Sequence, residues 1–230
     1  MPEMCFDKFG VGFYISTKLG KYRGCMKHSF IQYALFALAF VLVSCGDDSS
    51  TGAPEGTVGS LTDSRDGLTY KTIVIGRQTW MAENLNYDAK NSLCPKGTSA
   101  NCTKYGRLYT WSVAKTACPS GWHLPSRKEF ETLFEAVGGA DSAGTKLMST
   151  SGWYKDGNGT DDYSFCVLPA GGKSGSGYYI DEGRHAYIWS STEADSYSAY
   201  YLDLEYDYEK ARMRGDNAKD YWFSVRCVQD

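Results

Sequence analysis

The chain has 230 residues, is 42% hydrophobic and carries a formal net charge of −3. This size and composition fit one globular domain with an apolar core and a tail. The acidic balance excludes a basic nucleic-acid-binding surface, so we expect no nucleic-acid partner.

The segment 26–45 has the pattern of an export signal. Lys27 and His28 give it a short positive start after Met26. Residues 31–43 are apolar apart from Gln32, but this run is too short to span a membrane readily. It ends in Leu-Val-Ser-Cys, which resembles the bacterial lipoprotein signals whose cysteine is lipidated. We therefore predict a signal peptide over 26–44, lipidation of Cys45 and an outer-membrane lipoprotein anchored through that lipid. An uncleaved anchor or an ordinary secretory signal is the alternative.

This prediction divides the rest of the N-terminal region. Residues 1–25 precede a complete signal, so we expect them to be a start-site artefact and Met26 to be the true start. Residues 45–65 are rich in Gly, Ser, Asp and Thr and predict a flexible tether. The run Gly-Asp-Asp after Cys45 resembles signals for the outer cell surface, although a plain linker would look the same. The folded domain is expected over 66–230.

The exported cysteines suggest disulfides, which an exported compartment permits. Cys94 and Cys102 flank a Pro/Gly/Ser/Asn loop and form the easiest local pair. That choice leaves Cys118 and Cys227 to tie the middle of the domain to its end, with Cys166 as a buried free thiol. Other pairings stay open at this stage.

Two elements are predicted in the first part of the domain. Residues 70–75 and 78–81 are strand-like segments around Gly-Arg and predict a hairpin. Leu108, Trp111 and Ala114 recur at helical spacing, which predicts a helix from about 107 to 117.

The next helix carries the clearest signals of the chain. Ser126 and Glu129 form a capping box, an apolar stripe follows, and Gly138 with Gly139 ends the helix. A short helix is expected over 141–148.

The remaining chain is predicted to form loops and strands, with strands at 163–168, 186–193, 199–214 and 221–228. In the third of these, Asp203 and Glu205 alternate with apolar residues. Like charges two residues apart need water or a cationic neighbour, which Arg212 and Arg214 could supply across a turn near Lys210. Early helices followed by a meander of strands predict an α+β domain.

These segments together resemble a known family, the Fibrobacter succinogenes major paralogous domain of bacterial surface or exported lipoproteins. The resemblance is carried by DGLTYKTIVIGRQTWMAENLNY, NCTKYGRLYTWSVAKTACPSGWHLPS, NGTDDYSFCVLPAGG, IWSSTEADSYSAYYL and FSVRCV, in this order. It covers about residues 66–230. Where the family pattern would have a small residue, this chain has Cys166.

A more distant similarity is to C-type-lectin-like and formylglycine-generating-enzyme folds. Its matches are Trp111, Ala114 and Cys118; then Leu124, Pro125, Ser126 and Glu129; then Phe223, Arg226 and Cys227. This resemblance implies a disulfide between Cys118 and Cys227 and a C-type-lectin-like domain with two main helices early and an antiparallel, loop-rich sheet.

Several catalytic and metal sites are excluded by their spacing. After the signal peptide only His123 and His185 remain, in separate motifs, whereas a zinc site needs four clustered ligands. The GGKSG stretch at 171–175 lacks both the first P-loop glycine and a following helix. A formylglycine-generating activity would need two active cysteines late in the domain, and Cys227 is assigned to a structural bridge.

Two candidate ligand sites remain. The loop oxygens of Asp156, Asn158, Asp161 and Asp162 could hold calcium, or the loop could be a structural turn. Exposed aromatic rings suit sugar binding; the candidates are Trp153, Tyr154, Tyr178, Tyr179, Tyr197, Tyr200 and Tyr201. The calcium-dependent lectin pattern, Glu-Pro-Asn or Gln-Pro-Asp followed by Trp-Asn-Asp, is missing from the sequence.

The function that we predict is a non-catalytic surface lipoprotein that binds polysaccharide or another surface partner. A structural envelope protein without a small ligand is the alternative, and an enzyme related to formylglycine-generating proteins comes third. The sequence does not set the oligomeric state.

Overall fold

A computed structural model describes residues 56–230, and the structural statements below concern this part of the chain. The predicted artefact 1–25, the signal peptide 26–44 and the lipidation site Cys45 lie outside the described residues. Within residues 56–230 no helix is long and apolar enough to cross a membrane.

The described chain is a mixed α+β structure, mostly sheet. Its strands are β1 (Val58–Thr62), β2 (Thr69–Ile75), β3 (Gln78–Met81), β4 (Leu108–Thr110), β5 (Trp122–His123), β6 (Gly172–Lys173), β7 (Tyr179–Ile180), β8 (His185–Glu193), β9 (Ala199–Glu205), β10 (Tyr208–Arg214), β11 (Trp222–Ser224) and β12 (Val228–Gln229). Its α-helices are α1 (Ser99–Tyr105), α2 (Trp111–Ala114), α3 (Arg127–Ala136) and α4 (Ala140–Leu147).

The strands form two sheets. One has the order β1-β2-β3-β12-β5, and the other has the order β10-β9-β8-β11-β6-β7 with β4 also paired to β11. The last two strands of the chain therefore belong to different sheets, and residues 225–227 join them.

Two apolar cores result from the alternation of side chains along β8 and β9. Ile188 and Leu202 join a core with Trp80, Phe130 of α3 and Leu147 of α4. The neighbouring residues on these strands point to the opposite face and enter a second, strongly aromatic core. Its members include Tyr109, Trp111, Tyr187, Trp189, Tyr201 and Phe223.

The hairpin and the capped helix, both predicted from short sequence motifs, are confirmed. The hairpin pairs Ile73 with Trp80 and Ile75 with Gln78. The Ser126 side chain accepts a hydrogen bond from the backbone of Glu129, and the Glu129 side chain accepts one from the Ser126 backbone, so the capping box that starts α3 is confirmed. The short helix expected over 141–148 is α4.

The helix predicted over 107–117 is wrong in its first part. Leu108 pairs with Ser224 and Thr110 with Trp222, so residues 108–110 are a strand that extends the second sheet. Only Trp111–Ala114 is helical. A pairing partner more than a hundred residues away outweighs a local helical spacing.

Two strand predictions are also corrected. Residues 163–168 form no strand, because Asp161, Ser164 and Cys166 have positive φ and only a single bridge joins Val167 to Met148. The turn expected near Lys210 lies at 206–207, between β9 and β10.

The folded region begins before residue 66, so the predicted tether over 45–65 is too long. Strand β1 pairs with β2 from Val58 to Thr62. Asp63 is fully buried and forms an ion pair of 2.6 Å with Arg65, whose Nη2 donates to the carbonyl of Ala117 at 2.8 Å. These contacts fix residues 58–65 against the chain next to Cys118.

Two disulfides are present among the described residues, and both confirm the predicted pairs. Cys94 bonds to Cys102, eight residues away, and Cys118 bonds to Cys227, 109 residues away. The prediction of a free thiol at Cys166 is wrong, since this cysteine is also disulfide-bonded.

The two described disulfides should differ in their effect on stability. In the chain-entropy model, closing the long loop is worth about 5 kcal/mol and closing the short one about 2.5 kcal/mol, often less in practice. We expect the double variant Cys118→Ala/Cys227→Ala to lower the free energy of unfolding in urea by roughly twice as much as Cys94→Ala/Cys102→Ala. An equal or larger loss from the short loop would contradict the structural role of the long bridge.

Candidate functional site

The structure separates the seven predicted sugar-binding aromatics into buried and accessible groups. Trp153 is 5% exposed and its Nε1 donates to Ser149 Oγ at 3.0 Å. Tyr201 is 2% exposed and its hydroxyl donates to Asp216 at 2.7 Å. Both rings belong to the cores and have no free face, so we remove them from the candidate ligand site.

The accessible candidates lie on three separate segments. Tyr154 has the Arg184 guanidinium 4.0 Å from its ring centroid. Tyr197 and Tyr200 belong to the turn and strand that follow β8; Tyr197 is 80% exposed, whereas Arg127 lies 4.6 Å from the ring of half-buried Tyr200. Tyr178 and Tyr179, on the hairpin between β6 and β7, are both exposed.

Strand register places Tyr179 in a row with two residues that were not predicted. Lys173 of β6 pairs with Tyr179 of β7 on one side and with Trp222 of β11 on the other. Residues directly opposite each other on adjacent strands project from the same face of a sheet. We call Trp222, Lys173 and Tyr179 the aromatic row.

The contacts of Lys173 agree with this placement. Its Nζ lies 4.7 Å from the Trp222 ring centroid and 5.6 Å from that of Tyr179. Because neighbouring strands are about 4.8 Å apart, the two aromatic residues are roughly 10 Å apart across the sheet. The lysine therefore fills the space between two rings with an aliphatic stem and a charged tip.

Backbone carbonyls of the segment 91–94, which leads into the Cys94–Cys102 disulfide loop, accept hydrogen bonds from both rings of the row. Tyr179 donates its hydroxyl to the carbonyl of Cys94 at 3.3 Å, and Trp222 Nε1 approaches the carbonyl of Asn91 at 3.4 Å. These contacts fix the polar tips of the rings, and Lys173 packs over one face of each ring.

The charged residues of β9 and β10 form an ion network, as the alternating pattern predicted. The fully buried Asp203 lies 2.8 Å from Arg212 and 2.9 Å from His185 Nδ1, and Arg212 also lies 2.6 Å from Glu205. Arg214 is 3.7 Å from Asp203. The carboxylates are thus paired with cationic side chains, which allows one face of the second sheet to carry both Asp203 and Glu205.

Two of the four predicted calcium ligands accept hydrogen bonds from nearby backbone groups. Asn158 Oδ1 accepts from the backbone of Trp153 at 3.1 Å, and Asp161 Oδ1 accepts from the backbone of Cys166 at 2.7 Å. Among the described residues no group of three or more His, Cys, Asp or Glu could hold a metal ion. Asp156 and Asp162 are therefore not assembled with Asp161 into a calcium site.

The two histidines form carboxylate contacts in different parts of the fold. His123 lies between Glu129, 2.7 Å from Nε2, and Asp230, 2.6 Å from Nδ1. Burial lowers the pKa of His123, but the hydrogen bonds with Asp230 and Glu129 outweigh it and raise the pKa. Burial likewise lowers the pKa of His185, and the bond with Asp203 raises it overall.

The fold and this surface define a disulfide-bonded α+β domain with a solvent-facing aromatic row. The chain belongs to the Fibrobacter succinogenes major domain family, whose model matches residues 73–229. This membership indicates a surface protein. Comparison with curated proteins found no match, and comparison with solved structures found none either.

A pH titration tests the carboxylate contacts of His123. Protonated His123 stabilises the fold fully below its unfolded pKa of about 6.5, and this contribution is lost as the pH rises through the raised folded pKa. By NMR titration of the ring protons, we expect both histidines to titrate above 6.5. Asp230→Asn should lower the pKa of His123 and leave that of His185 unchanged. Titration of His123 at or below 6.5 in the native chain would contradict the contact.

Proposed function

We propose that this surface protein is a non-catalytic binding module for polysaccharide, and that the aromatic row is its binding surface. The observation that carries the proposal is the cross-strand alignment of Trp222 and Tyr179 around Lys173. Flat apolar rings stack on the apolar faces of sugars, and an extended chain can place two of its rings on two aromatic side chains of one sheet face.

Three further features support a polysaccharide ligand at this surface. The row is a sheet face, which suits an extended polymer. Tyr178, 73% exposed, precedes Tyr179 on the same hairpin and adds a second exposed ring there. Lys173 adds a donor for sugar hydroxyls between the rings.

We also propose that the domain is of the C-type-lectin-like class. The support is the bridge from the chain that follows α2 to the end of the domain, between Cys118 and Cys227. A second support is the capped helix α3, which begins at Ser126, shortly after that bridge. The calcium-dependent mode of sugar binding is not part of the proposal, because the 156–162 loop assembles no metal ligands.

A panel of insoluble polysaccharides tests the binding surface. We expect the purified full chain to be retained on at least one of them, and Tyr179→Ala or Trp222→Ala to weaken binding about tenfold each, as expected when a central aromatic contact worth about 1–2 kcal/mol is removed. The loss should appear in depletion isotherms recorded at a temperature well below the melting temperature of each variant, where all variants are folded.

Tyr197→Ala provides the matched control for this experiment. Tyr197 is as exposed as Tyr178 but belongs to another hairpin, so its removal should leave retention unchanged. Absence of binding to every polysaccharide would contradict the proposal and favour a structural envelope role. An equal loss in Tyr197→Ala and Tyr179→Ala would show that the row is not the specific surface.

The proposed location is the outer membrane of a bacterial envelope, with attachment through a lipid on Cys45. The support is the short apolar segment that ends in Leu-Val-Ser-Cys. Stable attachment through a lipid takes more than one acyl chain, which a lipidated N-terminal cysteine can carry.

Substitution of the lipidated cysteine tests this location. In a bacterial host, Cys45→Ser should abolish incorporation of labelled palmitate and release the protein from the membrane fraction. Cys45→Ser should leave the folded domain unaffected. As a control, Cys94→Ser alters a cysteine within the domain and should keep the label. Unchanged labelling of Cys45→Ser would contradict the lipoprotein assignment.

A further inference from the structure

A cavity of about 340 Å³ lies apart from the aromatic row. Its wall is formed by β2, the chain after β3, α1 and the 161–168 loop, and includes Leu68, Tyr70, Asn86, Asp161 and Arg226. Its volume falls in the range of small-molecule sites, roughly 300–1,000 Å³, which typically combine apolar walls with a few polar groups.

Arg226 gives this cavity a buried positive charge. Its side chain is 1% exposed and hydrogen-bonds only neutral oxygens: Asn84 Oδ1 at 2.9 and 3.1 Å, the carbonyl of Cys166 at 3.3 Å and the carbonyl of Phe165. No ion pair within residues 56–230 includes Arg226. The anions that act on it, Asp161 and Glu83, do so only at longer range, so the buried guanidinium is only partly compensated, which is costly.

The hydrogen bonds that Arg226 forms within residues 56–230 also leave one of its donors unused. A guanidinium has five N–H donors. Four hydrogen bonds account for Nε, both Nη2 hydrogens and one Nη1 hydrogen. Within the described part of the chain the second Nη1 hydrogen has no acceptor, so one donor on a charged group remains for a ligand.

Asn86 adds an unused acceptor to the same cavity. Its Oδ1 is buried and has no hydrogen-bond partner in the structure of residues 56–230. A buried acceptor left without a donor is unfavourable. A ligand hydroxyl would satisfy it, whereas a second anionic oxygen would not.

We propose that this cavity binds a small hydroxylated carboxylate, of the sugar-acid class. Its carboxylate would pair with Arg226, one of its hydroxyls would donate to Asn86 Oδ1, and its apolar face would contact Leu68 and Tyr70. The site is separate from the aromatic row and does not depend on polysaccharide binding there.

Asp161 does not fill the role of the missing anion. It interacts with Arg226 only at longer range, and its Oδ1 is used by the backbone of Cys166. Burial raises the pKa of Asp161 to about 6 despite the opposing effect of Arg226. A true ion-pair partner would have a lowered pKa, so the Asp161 carboxylate competes weakly with a ligand for the positive charge.

Calorimetry on the full chain can test the ligand class with matched probes. We expect D-galacturonate or D-glucuronate to bind at least tenfold more tightly than galactose or glucose, which lack the carboxylate, and than acetate, which lacks the hydroxyls. Binding of the neutral sugars as tight as that of the acids, or binding of none of the probes, would overturn the proposal.

Variants locate the binding without removing Arg226, whose loss would unfold the surrounding loop. Leu68→Trp places a larger side chain at an exposed position of the wall and should weaken binding of the sugar acid at least tenfold. Asp161→Asn removes the competing charge and should strengthen it several-fold. Lys128→Ala, on α3, removes one surface cation outside the cavity wall and should have no effect.

The same measurements separate this site from the aromatic row. Tyr179→Ala should leave binding of the soluble sugar acid unchanged while it weakens retention on polysaccharide. Unchanged affinity in Leu68→Trp, or weaker binding in Asp161→Asn, would overturn the assignment to the cavity even if the row binds polysaccharide as proposed.

Discussion

The C-terminal segment 222–229 is the constraint on which the rest of the structure depends. Its first part, β11, pairs with β4, β6 and β8 in one sheet, and its last part, β12, lies between β3 and β5 in the other. Cys227 bonds to Cys118 at the junction. Phe223, Val225 and Cys227 enter the aromatic core, and Val228 enters the core below α3 and α4. One short segment thus joins two sheets and two cores, so the disulfide holds in place the element that both share.

Sequence patterns predicted the elements that local chemistry determines. The capping box at Ser126 and the hairpin 70–81 are visible because the residues that form them are close in the chain. The helix over 107–117 failed for the opposite reason: Leu108 and Trp111 have helical spacing, but the partner of Leu108 is Ser224. The cysteine positions favoured the Cys118–Cys227 bond but left other pairings open, and the distant C-type-lectin-like resemblance implied the same pair.

The candidate site was predicted less completely, because residue type does not determine exposure. Tyr197 and Tyr201 are four residues apart, yet one is exposed and the other is buried with its hydroxyl bonded to Asp216. The alternation of side chains along β9 determines which face of the sheet Tyr201 occupies. Only the folded structure shows that this face is covered by the aromatic core. Trp222 was missed because its place beside Lys173 follows from strand register, which no local signal encodes.

The break in strand pairing between β11 and β12 explains why the same segment can serve both proposed sites. Before the break, Trp222 lies in a paired strand and projects to the surface of the second sheet. At the break, the Val225 carbonyl accepts from the backbone of Leu85 and the Cys227 carbonyl from that of Met81. These bonds fix the backbone on either side of Arg226 without continuing the ladder of β11. The Arg226 side chain is therefore held between Asn84 and the carbonyls of Phe165 and Cys166, where its guanidinium gives the cavity a polar wall.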